Sequence, residues 1–289
     1  SAQFDIDASD RERLVAEAES RALLGGDGWG TPAARAHQRV SIYGLGRTGA
    51  GLALQLAAAG IGTLQLSDTS PVRPRDLGPV FIPALLGMPR DEALSRIINA
   101  HGYGCQVRTR GRWTQPDLAV MVDYEVANPT QASFLATHGV DHLSVVVGEV
   151  GISCGPWVRA GEGPCLRCVS LARRDEDPCW PGIAAQQHAR SVVARRGEDS
   201  TLAALTATYA TTQVLAALAG RAVAVAGRVL TYSLPDYALN WRDVAIHPAC
   251  TEHNRRDLSG GPARRGGKGR QSPPPDQPDS EPEYTRQAA

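Results

Sequence analysis

Between positions 39 and 147, short apolar runs alternate with longer segments whose apolar residues recur every three or four positions. RVSIY at 39–43 is too short for a stable helix and rich in β-branched residues, so it predicts a strand. The Ala/Leu spacing that follows predicts a helix near 49–59, and a second apolar run predicts a strand near 62–67. After an irregular Pro/Arg segment come a helix near 90–100 and apolar strands near 118–122 and 143–147. Strands that read as unbroken apolar runs are buried on both faces. Their alternation with helices predicts a mostly parallel, helix-flanked α/β sheet.

The two ends of the chain read differently. Residues 8–25 have helical spacing, with Ser9 or Asp10 as N-cap and Gly25 and Gly26 as the stop, and a short Gly/Pro-containing link leads to the first strand. From Ser259 onward the chain is dense in Gly, Pro and mixed charge and almost free of apolar residues, so it cannot repay the entropy of folding. The expected division is an N-terminal helix and link at 1–38, a nucleotide-binding domain at 39–258 and a disordered tail at 259–289.

Composition narrows the function classes. The 289 residues are 42% hydrophobic and carry a formal net charge of zero, which gives no global pull toward nucleic acid or anionic membrane. No run approaches the roughly 20 apolar residues of a membrane helix, and the N-terminus is acidic and polar where a signal peptide would be basic and then apolar. A soluble, cytoplasmic protein is expected, with a processed or incomplete start because the chain begins at Ser1. Lys268 is the single lysine, and it lies in the tail, so the folded part has no lysine for a Schiff base or a phosphate-binding loop.

The first strand runs into Gly44-x-Gly46-x-x-Gly49. In a strand–turn–helix of the Rossmann kind the first glycine permits the tight turn, the second lets backbone approach phosphate, and the third lets helix and strand pack. The helix N-terminus then presents N–H groups to an anion. Asp68, nineteen residues after Gly49 and at the end of the next strand, is placed to accept ribose hydroxyls. The fingerprint suits NAD and ATP equally.

Cys165-x-x-Cys168 is followed far downstream by Cys250-x-x-His253, two close pairs that fit a closed tetrahedral zinc site tying the C-terminal segment to the core. His247 is an alternative fourth ligand. A redox CxxC and unpaired buried cysteines are the competing readings. Cys105 and Cys154 lie among apolar residues and read as small core residues.

Together these features resemble the ThiF/MoeB/HesA family, bacterial relatives of ubiquitin-activating enzymes. The resemblance spans Val40 to His253 and includes GIGTLQLSD, the DLG at 76–78, GMPRDEAL at 87–94, VDYEVANPTQASFLATHGV, GPCLRC and the apolar segment TLAALTATYATTQVLAALAG after a crossover loop. It implies a Rossmann-like fold that binds ATP with Mg and adenylates the C-terminal carboxylate of a small ubiquitin-like carrier protein or precursor peptide, usually as a homodimer. Gly44, Gly46, Gly49 and Asp68 match the family's ATP-binding positions, with Arg47 in the same loop; Cys165, Cys168 and Cys250 match its zinc ligands, with His253 where the family has a fourth cysteine.

The departures fall on charges. Pro79 stands where the family's triphosphate-binding arginine would be, Arg90 replaces its lysine, and Asp123 keeps the first acid of its metal pair while Val126 and Ala127 replace the second acid and the Asn. Arg47, Arg73 and Arg75 are candidate replacement cations, Arg11 or Arg13 could come from a second subunit, and Asp123, Glu125 and Glu149 are candidate metal carboxylates. Cys179 lies close to the place where some relatives carry an acyl-accepting cysteine, while its acidic stretch, which discourages a thiolate, favours the competing reading of a plain loop cysteine. The expected activity is therefore adenylation by a remodelled or degraded site. An NAD-dependent oxidoreductase and a non-catalytic peptide-recognition module are the alternatives.

Overall fold

The computed structural model describes residues 6, 8–23, 28–111, 113–193 and 197–252. Gly25, Gly26, His253 and the tail from Ser259 lie outside the described residues. Three helices come first: α1 (Ala8–Arg13), α2 (Val15–Leu23) and α3 (Gly30–Ala36). The single N-terminal helix expected over 8–25 is broken at Leu14, whose side chain turns inward and packs with Ile6 and Ala33. Ser9 and Asp10 thus lie inside α1, where Asp10 accepts from Arg13, and the link contains a helix of its own. These helices are not a loose appendage. Arg13 donates to Ala58 O and Tyr103 O, and the buried Arg35 donates to Ala59 O and Glu17.

The main body is one eight-stranded sheet in the order β3-β2-β1-β4-β5-β6-β7-β8. Strands β1 (Arg39–Tyr43), β2 (Thr63–Ser67), β3 (Gln106–Arg108), β4 (Leu118–Tyr124) and β5 (His142–Val147) run parallel. Beyond them β6 (Gly151–Val158), β7 (Arg228–Ser233) and β8 (Ala238–Asp243) continue antiparallel. The chain returns directly from β5 to β6 and from β7 to β8, and through a helical excursion over 159–227 from β6 to β7; none of these three strands was expected from the sequence.

Helix α4 (Arg47–Ala58), following β1, and α9 (Ser200–Leu218) cover one face, with α5 (Arg90–His101) beside them. Close approach of α4 and α9 rests on Gly51, where an added Cβ would lie 3.1 Å from the Ala207 Cβ. By length and composition α9 is apolar enough to cross a membrane, contrary to the expectation from run length. In the fold it is a core helix: Leu202, Ala207, Ala210 and Val214 are buried in the main core, and Asp199 caps it by accepting from Thr201 N and Leu202 N. The opposite face carries α6 (Pro129–Thr137), α7 (Leu166–Glu176) and α8 (Trp180–Val193).

Candidate functional site

The strand order reverses between β1 and β4: β2 and β3 extend to one side of β1, β5 to the other side of β4. In open parallel sheets the crevice at the carboxyl ends of the strands flanking such a reversal is where ligands bind. Gly44–Gly46 leave the end of β1 and Asp123–Glu125 leave the end of β4, so two groups of sequence-selected residues meet at this crevice.

The loop geometry requires its glycines. Gly44 has φ +85°, and a Cβ there would lie 2.1 Å from Val122 O. On Gly49, in the first turn of α4, a Cβ would lie 2.0 Å from Gly44 O. Both positions pack backbone against backbone. At Gly46 the neighbour is different: a Cβ would lie 1.9 Å from a carboxylate oxygen of Glu198. That carboxylate accepts the Thr48 N–H at 2.7 Å, at the N-terminus of α4. Burial pushes the Glu198 carboxyl above the usual carboxylate range, against the opposing pull of the Thr48 donors and the nearby Arg90.

Arg47 holds this arrangement in place. Its Nη1 donates to Glu198 O at 2.9 Å and its Nη2 to Leu77 O at 2.6 Å, so both groups are spent on backbone carbonyls. Glu198 was invisible to sequence reading because nothing in its local pattern marks it; only the return of the chain at the start of α9 brings it to the loop.

Asp68 ends β2 in a buried cluster. Its Oδ2 accepts from Leu45 N at 3.0 Å and Arg90 Nη1 at 3.1 Å, and its Oδ1 from Ser70 N. Arg90 also donates to both oxygens of Asp76, at 2.6 and 3.2 Å. Burial alone would make Arg90 easier to deprotonate; the hydrogen bonds and charges of Asp76 and Asp68 outweigh it and raise its pKa. Arg90 therefore bridges two acids inside the protein, and Asp76, noted in the sequence as the start of the DLG at 76–78, joins the cluster.

Arg73 and Arg75 are exposed on the turn at Pro74–Asp76, and an added Cβ at Gly197 would come within 3.7 Å of the Arg75 Cβ. Asp123 accepts from Asn128 N at 3.0 Å. Glu125 has φ 63°, an uncommon state for a residue with a side chain, and its buried Oε1 has no hydrogen-bond partner among the described residues. Arg13 is spent within its own subunit, on Asp10 and two backbone carbonyls. Cys179 is exposed between α7 and α8, its N–H donating to Asp177. Burial pushes Cys105 and Cys154 up to about 12, which leaves both as inert thiols of the core.

Beyond Glu125, a cavity of about 810 Å³ lies between the sheet, where Ser144, Val146 and Ser153 face it, and helices α6, α7 and α8. Its lining is mainly apolar, with Arg159 and Arg173 among its charged residues.

Cys165, Cys168 and Cys250 come together, their sulfurs within 4.8 Å of one another. The Cys165–Cys168 and Cys165–Cys250 separations are 3.8 and 3.6 Å, close to the edge of about 3.8 Å of a tetrahedron with Zn–S arms of about 2.3 Å. Burial first, then the crowding sulfurs, pushes Cys165 up to about 12; a dication would reverse that preference by favouring thiolates. The His247 N–H donates to the Cys168 sulfur at 3.4 Å, while its ring is engaged by Asp175 at 2.8 Å and by Ala249 N. His247 is thus a neighbour of the three sulfurs, with its ring turned to Asp175. The donor set fits zinc, with three sulfurs in place.

Residues 32–253 match the family model described as ThiF family. The chain belongs to the ThiF family. Among solved structures, PaaA superposes with a TM-score of 0.67 at 18% identity, covering 82% of this chain and 84% of its own. E. coli MccB with AMPCPP and selenomethionine MccA gives 0.69 at 13% identity, covering 86% and 74%. E. coli MccB with ATP gives 0.67 at 13%, covering 86% and 74%. At these identities the likeness shows the shared fold. No curated protein sequence gives a significant match.

Proposed function

We propose that this ThiF-family chain binds ATP at the switch-point crevice and adenylates the C-terminal carboxylate of a peptide or small ubiquitin-like protein. The observation that carries the reading is the glycine cradle at the end of β1, with Thr48 N–H directed at an anion where a nucleotide phosphate would lie. MccB, a structural neighbour, has been solved with ATP, with AMPCPP and with MccA, which supports a nucleotide and a peptide as the two substrates.

In the reaction a carboxylate oxygen of the partner bonds to the α-phosphorus as the bond to the departing pyrophosphate breaks. Catalysis of this kind is mostly positioning and charge stabilisation. In this reading Asp123 and Glu125, at the end of β4, would hold Mg. Arg73 and Arg75, exposed on the neighbouring turn, would contact the triphosphate. Arg90, committed to two acids, acts by holding Asp68 and through it the loop. The mainly apolar cavity that opens beside Glu125 is suited to the chain end of the partner. Zinc at Cys165, Cys168 and Cys250, with His253 as fourth ligand, fastens the C-terminal segment. The protein is proposed to act in the cytoplasm as a homodimer.

Calorimetric titration with ATP and with NAD tests the nucleotide assignment. Saturable ATP binding without NAD binding is expected; NAD binding without ATP binding refutes it. ATP–pyrophosphate exchange dependent on an added carboxylate-bearing peptide then tests the chemistry.

A further inference from the structure

The glycine cradle already holds an anion, and it belongs to the chain itself. One Glu198 oxygen fills the space that the absent side chain of Gly46 leaves open, and the other accepts the Thr48 N–H at 2.7 Å. In a loop of this type that space and those N–H groups serve a phosphate. Three further contacts seat the same segment: Arg47 Nη1 on Glu198 O, Tyr124 Oη on Gly197 O at 2.7 Å, and Asp199 at the N-cap of α9. Among the described residues no cation bonds the Glu198 carboxylate directly; Arg47 is turned to its backbone carbonyl and Arg90 to Asp68 and Asp76. The cradle is what satisfies it.

We propose that Glu198 is a built-in plug of the nucleotide site: its carboxylate and a polyphosphate compete for the Thr48 N–H and for the space over Gly46, so the 197–199 segment must lift for nucleotide to enter. The proposal rests on the nucleotide reading above and adds an autoinhibitory contact to it. A ligand that binds only the lifted state is weakened by the fraction of molecules in that state. Removing the carboxylate removes that handicap. The charge-assisted bond to Thr48 sets the scale: Glu198→Ala should tighten polyphosphate binding by about tenfold to a hundredfold, and Glu198→Gln, which keeps the shape and loses the charge, by less.

The experiment is calorimetric titration of the full chain and of both variants with ATP and with inorganic tripolyphosphate, with amide hydrogen exchange of Thr48 and of 197–202 in each state. Tighter binding of ATP in both variants, with faster exchange at 197–202 in the nucleotide-bound parent, is the expected result. Equal or weaker ATP binding in the variants overturns the plug while leaving the nucleotide reading intact. Tighter tripolyphosphate binding in the variants with no ATP binding anywhere supports the plug and removes the nucleotide reading. No binding of either ligand to any of the three proteins removes both.

Discussion

Removing the charge of Arg90 is expected to destabilise the protein severely even though the residue lies on a helix start. Its side chain is 4% exposed, and those of its partners Asp68 and Asp76 are 2% and 6% exposed. Three hydrogen bonds join them, at 3.1, 2.6 and 3.2 Å. Arg90→Met keeps the apolar stem and leaves two carboxylates buried without their cation. Breaking a buried pair in this way costs about 3–5 kcal/mol, a large part of the roughly 5–15 kcal/mol that a domain has. For a chain of this size that is a Tm lower by roughly 6–20 °C. Arg90→Lys should fall between, since one ammonium cannot fork onto both acids as the guanidinium does. The variant carrying Arg90→Met with Asp68→Asn and Asp76→Asn should recover much of the loss, because the buried charges are gone. Urea unfolding followed by circular dichroism gives each value. An Arg90→Met protein within about 1 kcal/mol of the parent, or a neutralised variant no more stable than Arg90→Met, would show that the cluster is not what ties the turn at 74–76 and α5 to the Gly-rich loop.

Gly49→Ala reverses the usual helix rule: alanine ordinarily gains up to about 1 kcal/mol over glycine in a helix, but here its Cβ meets Gly44 O at 2.0 Å, so a loss of about 1–3 kcal/mol is expected in the same unfolding assay. Metal analysis should find about one zinc per chain, abolished in Cys250→Ser and in His253→Ala but kept in His247→Ala, whose ring is held by Asp175; zinc retained by Cys250→Ser refutes the site. Burial lowers the pKa of His142, with the Val140 carbonyl and Asp141 opposing, so the unfolded chain binds the extra proton first as pH falls. Its contribution to stability is complete above about pH 6.5 and is lost as the pH falls toward the folded value; unfolding of parent and His142→Phe at pH 5, 6 and 7.5 should show a flatter pH dependence in the variant.

The site was partly readable before its geometry was known. The residues of the glycine loop were found because a tight turn, a backbone approach and a helix contact each exclude a side chain, and that exclusion is written into residue type. The three cysteines were found because cysteines at metal-ligand spacing are legible from residue type alone. Roles were harder. Arg90 read as the stand-in for the family's lysine and Asp68 as a ribose acceptor; the two are bonded to each other, a relation set by the return of the chain after β2. Cys179, by contrast, stays exposed between α7 and α8, with its amide on Asp177.

Taken alone, the chain's pattern determined four of the five parallel strands: 39–43 is β1 to the residue, 62–67 contains β2, 118–122 and 143–147 lie within β4 and β5, and 90–100 lies within α5, while the short β3 was missed. Parallel strands and their crossover helices are buried on definite faces, and burial selects apolar residues at readable spacing. The tertiary structure alone decided the antiparallel extension, the break at Leu14, the Arg90–Asp68–Asp76 cluster and the arrival of Glu198 at Gly46. Edge strands such as β8, exposed along its whole length, leave no apolar signature. Pairings between charges far apart in the chain leave none either, because each member looks like an ordinary surface residue until folding removes the water around it.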